Sequence, residues 1–278
     1  MAKPITTRIF TVANQKGGVG KTTSAVNVAA ALAMGGLKTL IIDLDPQGNA
    51  STAFGISRDE VNGMYEVIIK DLPMQSAALK IPGYPSLEVI PATQSLANAE
   101  VELVPMVARE MRLKKSLNNY LLDAANKGER FDYVIIDCPP SLGLLTINAL
   151  VAAQELMIPI QCEYYSLEGL TLLLHTVSLI QEHLNPNIKL TTILLTMFDG
   201  RTRLANDVAA EVRKHYNTEL IDIPIPRAVR ISEAPSYGQT VMTYDPASIG
   251  AEAYGLVARE IARRGAPSSN SNSEKGVG

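Results

Sequence analysis

Short apolar runs alternate with longer segments of helical periodicity along most of the chain. Several of these runs are nearly continuous in Val, Ile and Leu, which is typical of strands buried on both faces of a parallel sheet. The predicted strands are 9–13, 39–43, 87–91, 133–137, 156–160 and 190–196. Because strands and helical segments alternate, we predict an α/β fold, a doubly wound and mostly parallel sheet with helices on both faces.

The composition favours one compact domain. Hydrophobic residues make up 46% of the chain and charged residues 19%, and the chain has no Trp, so aliphatic side chains must fill the core. No linker or repeat interrupts residues 1–264, which we interpret as a single domain, and the polar residues 265–278 are predicted to be a disordered tail. Cys138 and Cys162 have no nearby His pattern, so a reduced, cytoplasmic protein without a Cys/His metal site is expected.

The segment after the first predicted strand has the features of a phosphate-binding loop. It reads KGGVGKTT over residues 16–23 and is followed by a helix of small residues. Glycines let backbone N–H groups turn toward phosphate oxygens, and a helix N-terminus adds the positive end of its dipole. Lys21 is expected to reach the β- and γ-phosphates of ATP, and Thr22 to place its hydroxyl on Mg²⁺. The predicted nucleotide-binding residues of the loop are Lys16, Gly17, Gly18, Val19, Gly20, Lys21, Thr22 and Thr23.

Lys16 narrows the class of phosphate loop. Gln15 stands where the standard motif has its first Gly, and the loop instead begins with a second lysine. This pattern resembles the deviant Walker A motif, K-G-G-x-G-K-[ST]. The resemblance implies that Lys16 reaches the nucleotide of a partner subunit, where a cation would neutralise charge that develops during phosphoryl transfer. ATP binding and homodimerisation would then be linked.

Two acidic segments follow predicted strands. Asp137 ends the run YVIID, a Walker B pattern whose carboxylate is expected to hold Mg²⁺ through water. The strand at 39–43 leads into DLDPQGN, which in the deviant Walker family is a switch segment. By that resemblance Asp45 orients the attacking water and Asp43 supports the Mg²⁺ shell. The predicted catalytic residues are Lys16, Lys21 and Asp45.

Nearly the whole chain resembles the ParA family of DNA-partitioning ATPases, in particular its short chromosomal branch, often called Soj. The segments that carry the resemblance include VANQKGGVGKTT, VIIDCPPSLGLLTINAL, LTMFDGRTRLANDV and IPRAVRISEAPSYGQTVMTYDP. The resemblance implies an ATP-bound sandwich dimer that binds double-stranded DNA without sequence preference. A ParB-type partner would stimulate a weak intrinsic ATPase and so release the dimer from the nucleoid.

The expected DNA contacts lie near the C-terminus. The chain has a formal net charge of −3, so bulk charge does not attract DNA and a local patch is needed. By resemblance, Arg201 and Arg230 match residues that contact DNA in this branch. Pro226 lies in the segment that packs near the adenine base in the family, and Thr196 and Met197 are expected on the same side.

Two other classes of protein share parts of this pattern. A MinD-like ATPase, which cycles on a membrane, would keep the phosphate loop and the aspartates but end in a basic amphipathic helix. The Ser-, Asn- and Gly-rich end of this chain has no apolar face. A metabolic or metallocluster-carrying P-loop enzyme would be expected to show a substrate pocket or a paired-cysteine motif, and neither is visible in the sequence.

Overall fold

The computed structural model describes residues 1–59, 61–164 and 166–267. A sheet with the strand order β3-β4-β2-β5-β1-β6-β7-β8 runs through this part of the chain. Its strands are β1 (Arg8–Val12), β2 (Thr39–Asp43), β3 (Leu79–Ile81), β4 (Tyr84–Ile90), β5 (Tyr133–Asp137), β6 (Glu155–Gln161), β7 (Lys189–Thr196) and β8 (Leu220–Ile221). Neighbouring strands pair in parallel, except that β3 pairs with β4 in the antiparallel sense. The prediction of a mostly parallel sheet is confirmed.

The predicted strands match the observed ones at the centre of the sheet and differ at its edges. β2 and β5 have the predicted bounds, and the other four differ by one to three residues at an end. The sequence analysis missed β3 and β8, which have three and two residues. Strands this short do not show a repeating apolar pattern. A turn containing Gly83, with a φ angle of 83°, joins β3 to β4.

Helices cover both faces of the sheet, as predicted. They are α1 (Lys21–Met34), α2 (Asn49–Ala53), α3 (Met64–Ile69), α4 (Ala99–Leu103), α5 (Arg112–Asn126), α6 (Leu144–Ala152), α7 (Ser166–His183), α8 (Arg203–His215), α9 (Val229–Glu233), α10 (Val241–Tyr244) and α11 (Ile249–Gly265). On one face α1 and α11 pack side by side, burying residues such as Leu32 and Ile261 against the sheet. On the other face α5 to α8 bury residues such as Leu117, Leu150 and Leu173.

The small residues of α1 place this helix close to the sheet. Its run of alanines, 29–31, is buried, and so are Val28 and Leu32. Close packing fixes the position of the helix, because well-packed interiors leave little room for movement. The N-terminus of α1 is thereby held at the carboxyl end of the strands, where ligands bind in open α/β sheets.

The predicted domain boundary lies close to the end of α11. This helix extends to Gly265, one residue past the predicted boundary at 264. Most of the predicted polar tail, residues 268–278, lies outside the described residues. Within the described ranges, no helix combines the length and the apolar character needed to cross a bilayer.

Candidate functional site

The loop between β1 and α1 has the backbone conformation that a phosphate loop requires. Gly18 and Gly20 have positive φ angles of 74° and 82°, which residues with a Cβ rarely adopt. Gly20 is the N-cap of α1, so the unpaired N–H groups and the positive end of the helix dipole open onto the loop. The Lys21 ammonium donates a hydrogen bond to the Lys16 carbonyl at 3.0 Å, which ties the two ends of the glycine run together.

Two of the predicted aspartates stand side by side at the carboxyl ends of adjacent strands. Asp43 ends β2, Asp137 ends β5, and the two are register partners. Both side chains are fully buried. Burial raises the pKa of Asp43 to about 6, with a further contribution from the charge of Asp45. Burial and repulsion from Asp43 hold the pKa of Asp137 well above its usual range.

Lys21 is a cation close to two carboxylates of the site, those of Asp45 and Asp137. Burial lowers the pKa of its ammonium group, while the charges of Asp137 and Asp45 act in the opposite direction. One lysine therefore lies near Asp45 and Asp137, and Asp43 adds a third carboxylate beside Asp137. An excess of buried negative charge favours the binding of a further cation.

The Asp137 carboxylate has the features of a group that binds a metal ion through the water molecules around it. Among the described residues, neither of its carboxylate oxygens has a hydrogen-bond partner. The Thr22 hydroxyl lies close enough to lower the pKa of Asp137, although the two groups do not form a hydrogen bond of normal geometry. A buried carboxylate without a partner is costly, and Mg²⁺ prefers oxygen ligands. Thr22 and Asp137 therefore fit a Mg²⁺ ion.

The protein provides only part of a metal shell at this site. Within the described part of the chain, no group of three or more His, Cys, Asp or Glu side chains is arranged to hold a metal ion. Mg²⁺ commonly keeps several waters and binds through one or two protein ligands together with substrate phosphates. The arrangement at Thr22 and Asp137 is of that type.

Asp43 is fixed by hydrogen bonds from the start of α2. Its Oδ2 accepts bonds from the Ser51 backbone N–H at 2.8 Å and from the Ser51 hydroxyl at 2.7 Å. Its Oδ1 accepts a bond from the Asp45 N–H at 3.2 Å. These contacts favour an outer position for Asp43 in the predicted Mg²⁺ shell. They also tie the switch segment to the end of β2.

Asp45 lies in the tight turn that begins the switch segment. The side chain is 7% exposed, and its Oδ1 accepts a hydrogen bond from the Gln47 N–H at 3.0 Å. The Gly48 N–H donates to the Asp45 carbonyl at 2.8 Å, and Gly48 has a φ angle of 65°. This turn places a carboxylate at the mouth of the site beside Lys21.

Arg58 lies beyond the switch segment in the sequence and binds the backbone of that segment. Its guanidinium donates to the backbone carbonyls of Pro46 and Gln47, the latter at 2.6 Å, and its Nε donates to the Ala92 carbonyl at 3.0 Å. The planar fork of an arginine suits such multiple contacts. Arg58 thus links the switch segment to the loop that follows β4.

Lys16 has a partner within its own chain. Its ammonium forms an ion pair with the carboxylate of Glu163, which follows β6. The two side chains are 41% and 45% exposed. Exposed ion pairs contribute roughly 0–1 kcal/mol, so the pair holds Lys16 only weakly. The predicted reach of Lys16 to a partner subunit requires this pair to open.

We predict that Glu163→Gln strengthens ATP-dependent dimerisation. The variant removes the competing carboxylate from both subunits, and two pairs worth at most about 1 kcal/mol each correspond to a change of at most about 30-fold in the dimer dissociation constant. Light scattering in ATP would measure it. Glu182→Gln is the control, since Glu182 is 70% exposed on α7 beside His183. Dimerisation of Glu163→Gln no stronger than that of Glu182→Gln would contradict the prediction.

A cavity adjoins the phosphate loop. It has a volume of about 220 Å³, and its lining includes Gly20, Thr23, Thr196, Met197, Pro226 and Tyr254. The Thr196 hydroxyl donates to the Val19 carbonyl at 2.8 Å, which joins the end of β7 to the loop. Pro226, Thr196 and Met197 are therefore brought together beside the loop, where an adenine base is expected.

Of the two predicted DNA-binding arginines, Arg201 lies in the loop after β7 and Arg230 in the first turn of α9. The Phe198 N–H donates to the Ile225 carbonyl at 2.9 Å, so the loop after β7 runs beside the segment that leads to α9. Arg201 is 89% exposed and pairs with Asp199 at 2.6 Å. Arg230 is 56% exposed and pairs with Glu233 at 3.1 Å. DNA phosphates would have to compete with these carboxylates.

Known proteins resemble this chain over most of its length. A family profile described as an AAA domain matches residues 7–190. Chromosome partitioning protein ParA of Myxococcus xanthus is 48% identical over 263 residues, which cover 94% of this chain and 90% of the relative. Sporulation initiation inhibitor protein Soj of Bacillus subtilis is 49% identical over 259 residues, with 93% and 99% covered. The chain belongs to the ParA/Soj family of chromosome-partitioning ATPases.

A solved structure similar to this ParA/Soj-family chain contains a nucleotide. It is a cobyrinic acid a,c-diamide synthase from Mycobacterium smegmatis with bound ADP and magnesium, with a TM-score of 0.78 and 37% identity. The match covers 93% of this chain and 95% of that one. The predicted resemblance to the ParA/Soj family and the predicted fold are confirmed.

The sequence analysis missed three residues of this ParA/Soj-family site. Ser51 holds Asp43, Arg58 holds the switch segment, and Glu163 pairs with Lys16. Ser51 lies two residues after Asn49, the last residue of the switch motif, and a hydroxyl this close to the motif could have indicated its role. Arg58 lies outside any motif, Glu163 lies in a segment for which no chemistry was predicted, and only the folded chain brings them to the site.

Proposed function

We propose that this protein hydrolyses ATP to ADP and phosphate and uses the nucleotide cycle to bind and release DNA during chromosome or plasmid partitioning. The observation that carries the proposal is the buried Asp137 carboxylate, unpaired among the described residues, beside Lys21 and Thr22. This set suits a nucleotide with its Mg²⁺ ion. The names of the relatives, chromosome partitioning protein and Soj, support the role in partitioning.

The phosphate loop would bind the nucleotide through its backbone. The N–H groups of residues 17–23 would surround the phosphates, and the Lys21 ammonium would contact the β- and γ-phosphate oxygens. Thr22 and Asp137 would hold Mg²⁺, with Asp43 in an outer position. The bound ion would neutralise charge on the phosphate oxygens. Similar structures that contain ADP or an ATP analogue together with magnesium support this assignment.

Asp45 and Lys16 are the proposed groups for hydrolysis. The Asp45 carboxylate would orient the attacking water, and Lys16 of the partner subunit would neutralise charge that develops on the transferred phosphoryl group. Intrinsic turnover would be weak, and the exposed Lys16–Glu163 pair would account for no more than about a fivefold part of that weakness. A ParB-type partner would stimulate turnover and end the DNA-bound state.

DNA binding would depend on the dimer. Residues 189–264 contain ten Lys and Arg against nine Asp and Glu, so one subunit has little net attraction for a duplex. Pairing two subunits doubles the number of arginines that contact phosphate, and such contacts add in the free energy of binding. The protein would act in the cytoplasm on the nucleoid, on double-stranded DNA without sequence preference.

DNA binding measured with ATP, with ADP and without nucleotide tests this proposal. Fluorescence anisotropy of a short labelled duplex should show binding in ATP and much weaker binding in the other two states. Equal binding in all three states would contradict it. Vesicles containing anionic lipids provide a parallel assay, and ATP-dependent binding to vesicles but not to DNA would favour a MinD-like role instead.

We predict that the double variant Arg201→Ala/Arg230→Ala loses most of its DNA affinity in ATP but still dimerises. If a dimer contacts four phosphates through these side chains, the logarithm of the DNA association constant should fall with the logarithm of the salt concentration at a slope of about −3.6. In the variant this dependence on salt should be absent. Arg263→Ala is the control, because Arg263 is 73% exposed on α11 and also pairs with a carboxylate. A salt-independent affinity of the unmodified protein would contradict the electrostatic account.

A further inference from the structure

Two glycine backbones meet where the switch segment contacts the C-terminal part of the chain. Gly55 follows α2 and Gly238 follows a 3₁₀ turn at Ala234–Tyr237, with φ angles of 71° and 63°. A Cβ added to Gly238 would lie 2.9 Å from Gly55 Cα and 3.4 Å from Gly55 N. Real Cβ atoms rarely approach a backbone this closely, so the contact at Gly238 leaves no room for a side chain.

Gly55, on one side of this contact, is connected through α2 to the candidate nucleotide site. The Gly55 N–H donates to the Thr52 carbonyl at 2.9 Å, which closes the end of α2. Ser51, on the same helix, binds the Asp43 carboxylate through both its N–H and its hydroxyl. A movement of Asp43 or of the turn at Asp45 would therefore be transmitted to α2.

Gly238, on the other side, is connected through the 3₁₀ turn and α9 to the proposed DNA-binding surface. The Gly238 N–H donates to the Pro235 carbonyl at 3.0 Å, so Gly238 closes the 3₁₀ turn. That turn continues from α9, which carries Arg230. Arg230 is paired with Glu233, the residue that precedes the turn. A displacement of Gly238 would therefore change the position of Arg230.

The same C-terminal segment is anchored independently to α1. The Asn27 side-chain oxygen accepts a buried hydrogen bond from the Val241 N–H at 2.9 Å. The segment is thus fixed on one side to the helix that starts at the phosphate loop and rests on α2 on the other. A shift of α2 relative to α1 would act on the segment between them.

We propose that the Gly55–Gly238 contact is the junction through which the nucleotide state controls DNA binding. Gly55 and Gly238 would be positioning residues, and the inference rests on the proposed function. Because two backbones touch without an intervening side chain, no rotamer change can absorb a movement of α2. The coupling must be reciprocal, so DNA should raise the affinity for ATP by the same factor by which ATP raises the affinity for DNA.

The test compares Gly238→Ala with Gly128→Ala. Gly128 has a φ angle of 76° and no atom within 4 Å of an added Cβ, so it carries the same backbone strain without the contact. We expect Gly238→Ala to bind ATP and dimerise within a factor of two of the control. Its DNA affinity in ATP should be at least tenfold lower, and the reciprocal effect of DNA on ATP affinity should be lost.

The outcomes separate this inference from the proposed function. If the unmodified protein binds DNA equally with and without ATP, the proposed function is wrong. If it requires ATP and Gly238→Ala binds DNA as the control does, only the junction is wrong. Should Gly238→Ala fail to fold, hydrogen exchange of the unmodified protein decides. The amides of Gly238 and Gln239 should exchange at different rates in ADP and ATP, and equal rates would overturn the inference.

Discussion

Lys21→Ala is expected to abolish ATP binding, lowering the affinity at least about 100-fold. Hydrogen bonds to charged groups contribute about 1.5–3 kcal/mol, which by itself corresponds to a loss of roughly tenfold to 150-fold. The variant also leaves Asp45 and Asp137 without the nearby cation whose charge opposes theirs. An anionic triphosphate would then enter a site with uncompensated negative charge. Isothermal titration with a slowly hydrolysed ATP analogue and Mg²⁺ would measure the loss.

The matched control for Lys21→Ala is Lys70→Ala. Lys70 is 59% exposed, pairs with Glu66 and lies at the end of α3, away from the phosphate loop. Circular dichroism would show whether both variants keep the fold. An affinity of Lys21→Ala within about threefold of that of the control would disprove the assignment of the loop.

The bounds of β2 and β5 could be predicted because a strand that is buried on both faces has an almost unbroken run of apolar residues. Each of β2 and β5 is an apolar run that ends in an aspartate, and the structure buries every position of both. The conformation of the predicted phosphate loop was equally predictable, since glycines are needed at the positive φ angles that Gly18 and Gly20 adopt. In these places the local pattern and the fold impose the same requirement.

Other features depend on residues far apart in the chain. Lys16 and Glu163 are 147 positions apart, and Tyr84 and Thr240, whose hydroxyls lie 2.7 Å from each other, are 156 apart. No periodicity or spacing connects such pairs, so the sequence alone could not predict that Lys16 has a partner in its own chain. The Gly55–Gly238 contact is of the same kind, because a glycine in a turn looks the same whether or not a backbone lies against it.

The position of Pro226 was predicted from the family resemblance and not from a local sequence pattern. The resemblance to the ParA family placed it near the base, whereas a proline in a loop has no signal of its own. In the structure Pro226 lines the same cavity as Thr196, and the Thr196 hydroxyl is bound to the phosphate loop. That it contacts the adenine base stays a prediction, as do the other assigned roles of the site residues.

Asp45→Ala is expected to lose ATP hydrolysis while keeping ATP binding, dimerisation and DNA binding. A positioned general base or water-orienting group contributes about 10²–10⁴-fold to a rate, so turnover should fall by that order. Nucleotide affinity should be unchanged or higher, because the charge of Asp45 raises the pKa values of both Asp43 and Asp137, and its removal relieves repulsion in the site. Phosphate release and the lifetime of the DNA complex, measured in ATP, check both halves of the prediction.

The comparison of Asp45→Ala with Asp45→Asn separates the effect of losing the carboxylate charge from the effect of losing the hydrogen bond in the turn. The amide oxygen of Asn can still accept the hydrogen bond from the Gln47 N–H that Asp45 Oδ1 accepts at 3.0 Å, so the turn is kept. A neutral amide is a far weaker base than a carboxylate, and Asp45→Asn should therefore hydrolyse as slowly as Asp45→Ala. If Asp45→Asn retained normal turnover, Asp45 would serve the turn alone. If Asp45→Ala stayed monomeric in ATP, the switch segment would be needed to build the dimer rather than to end it.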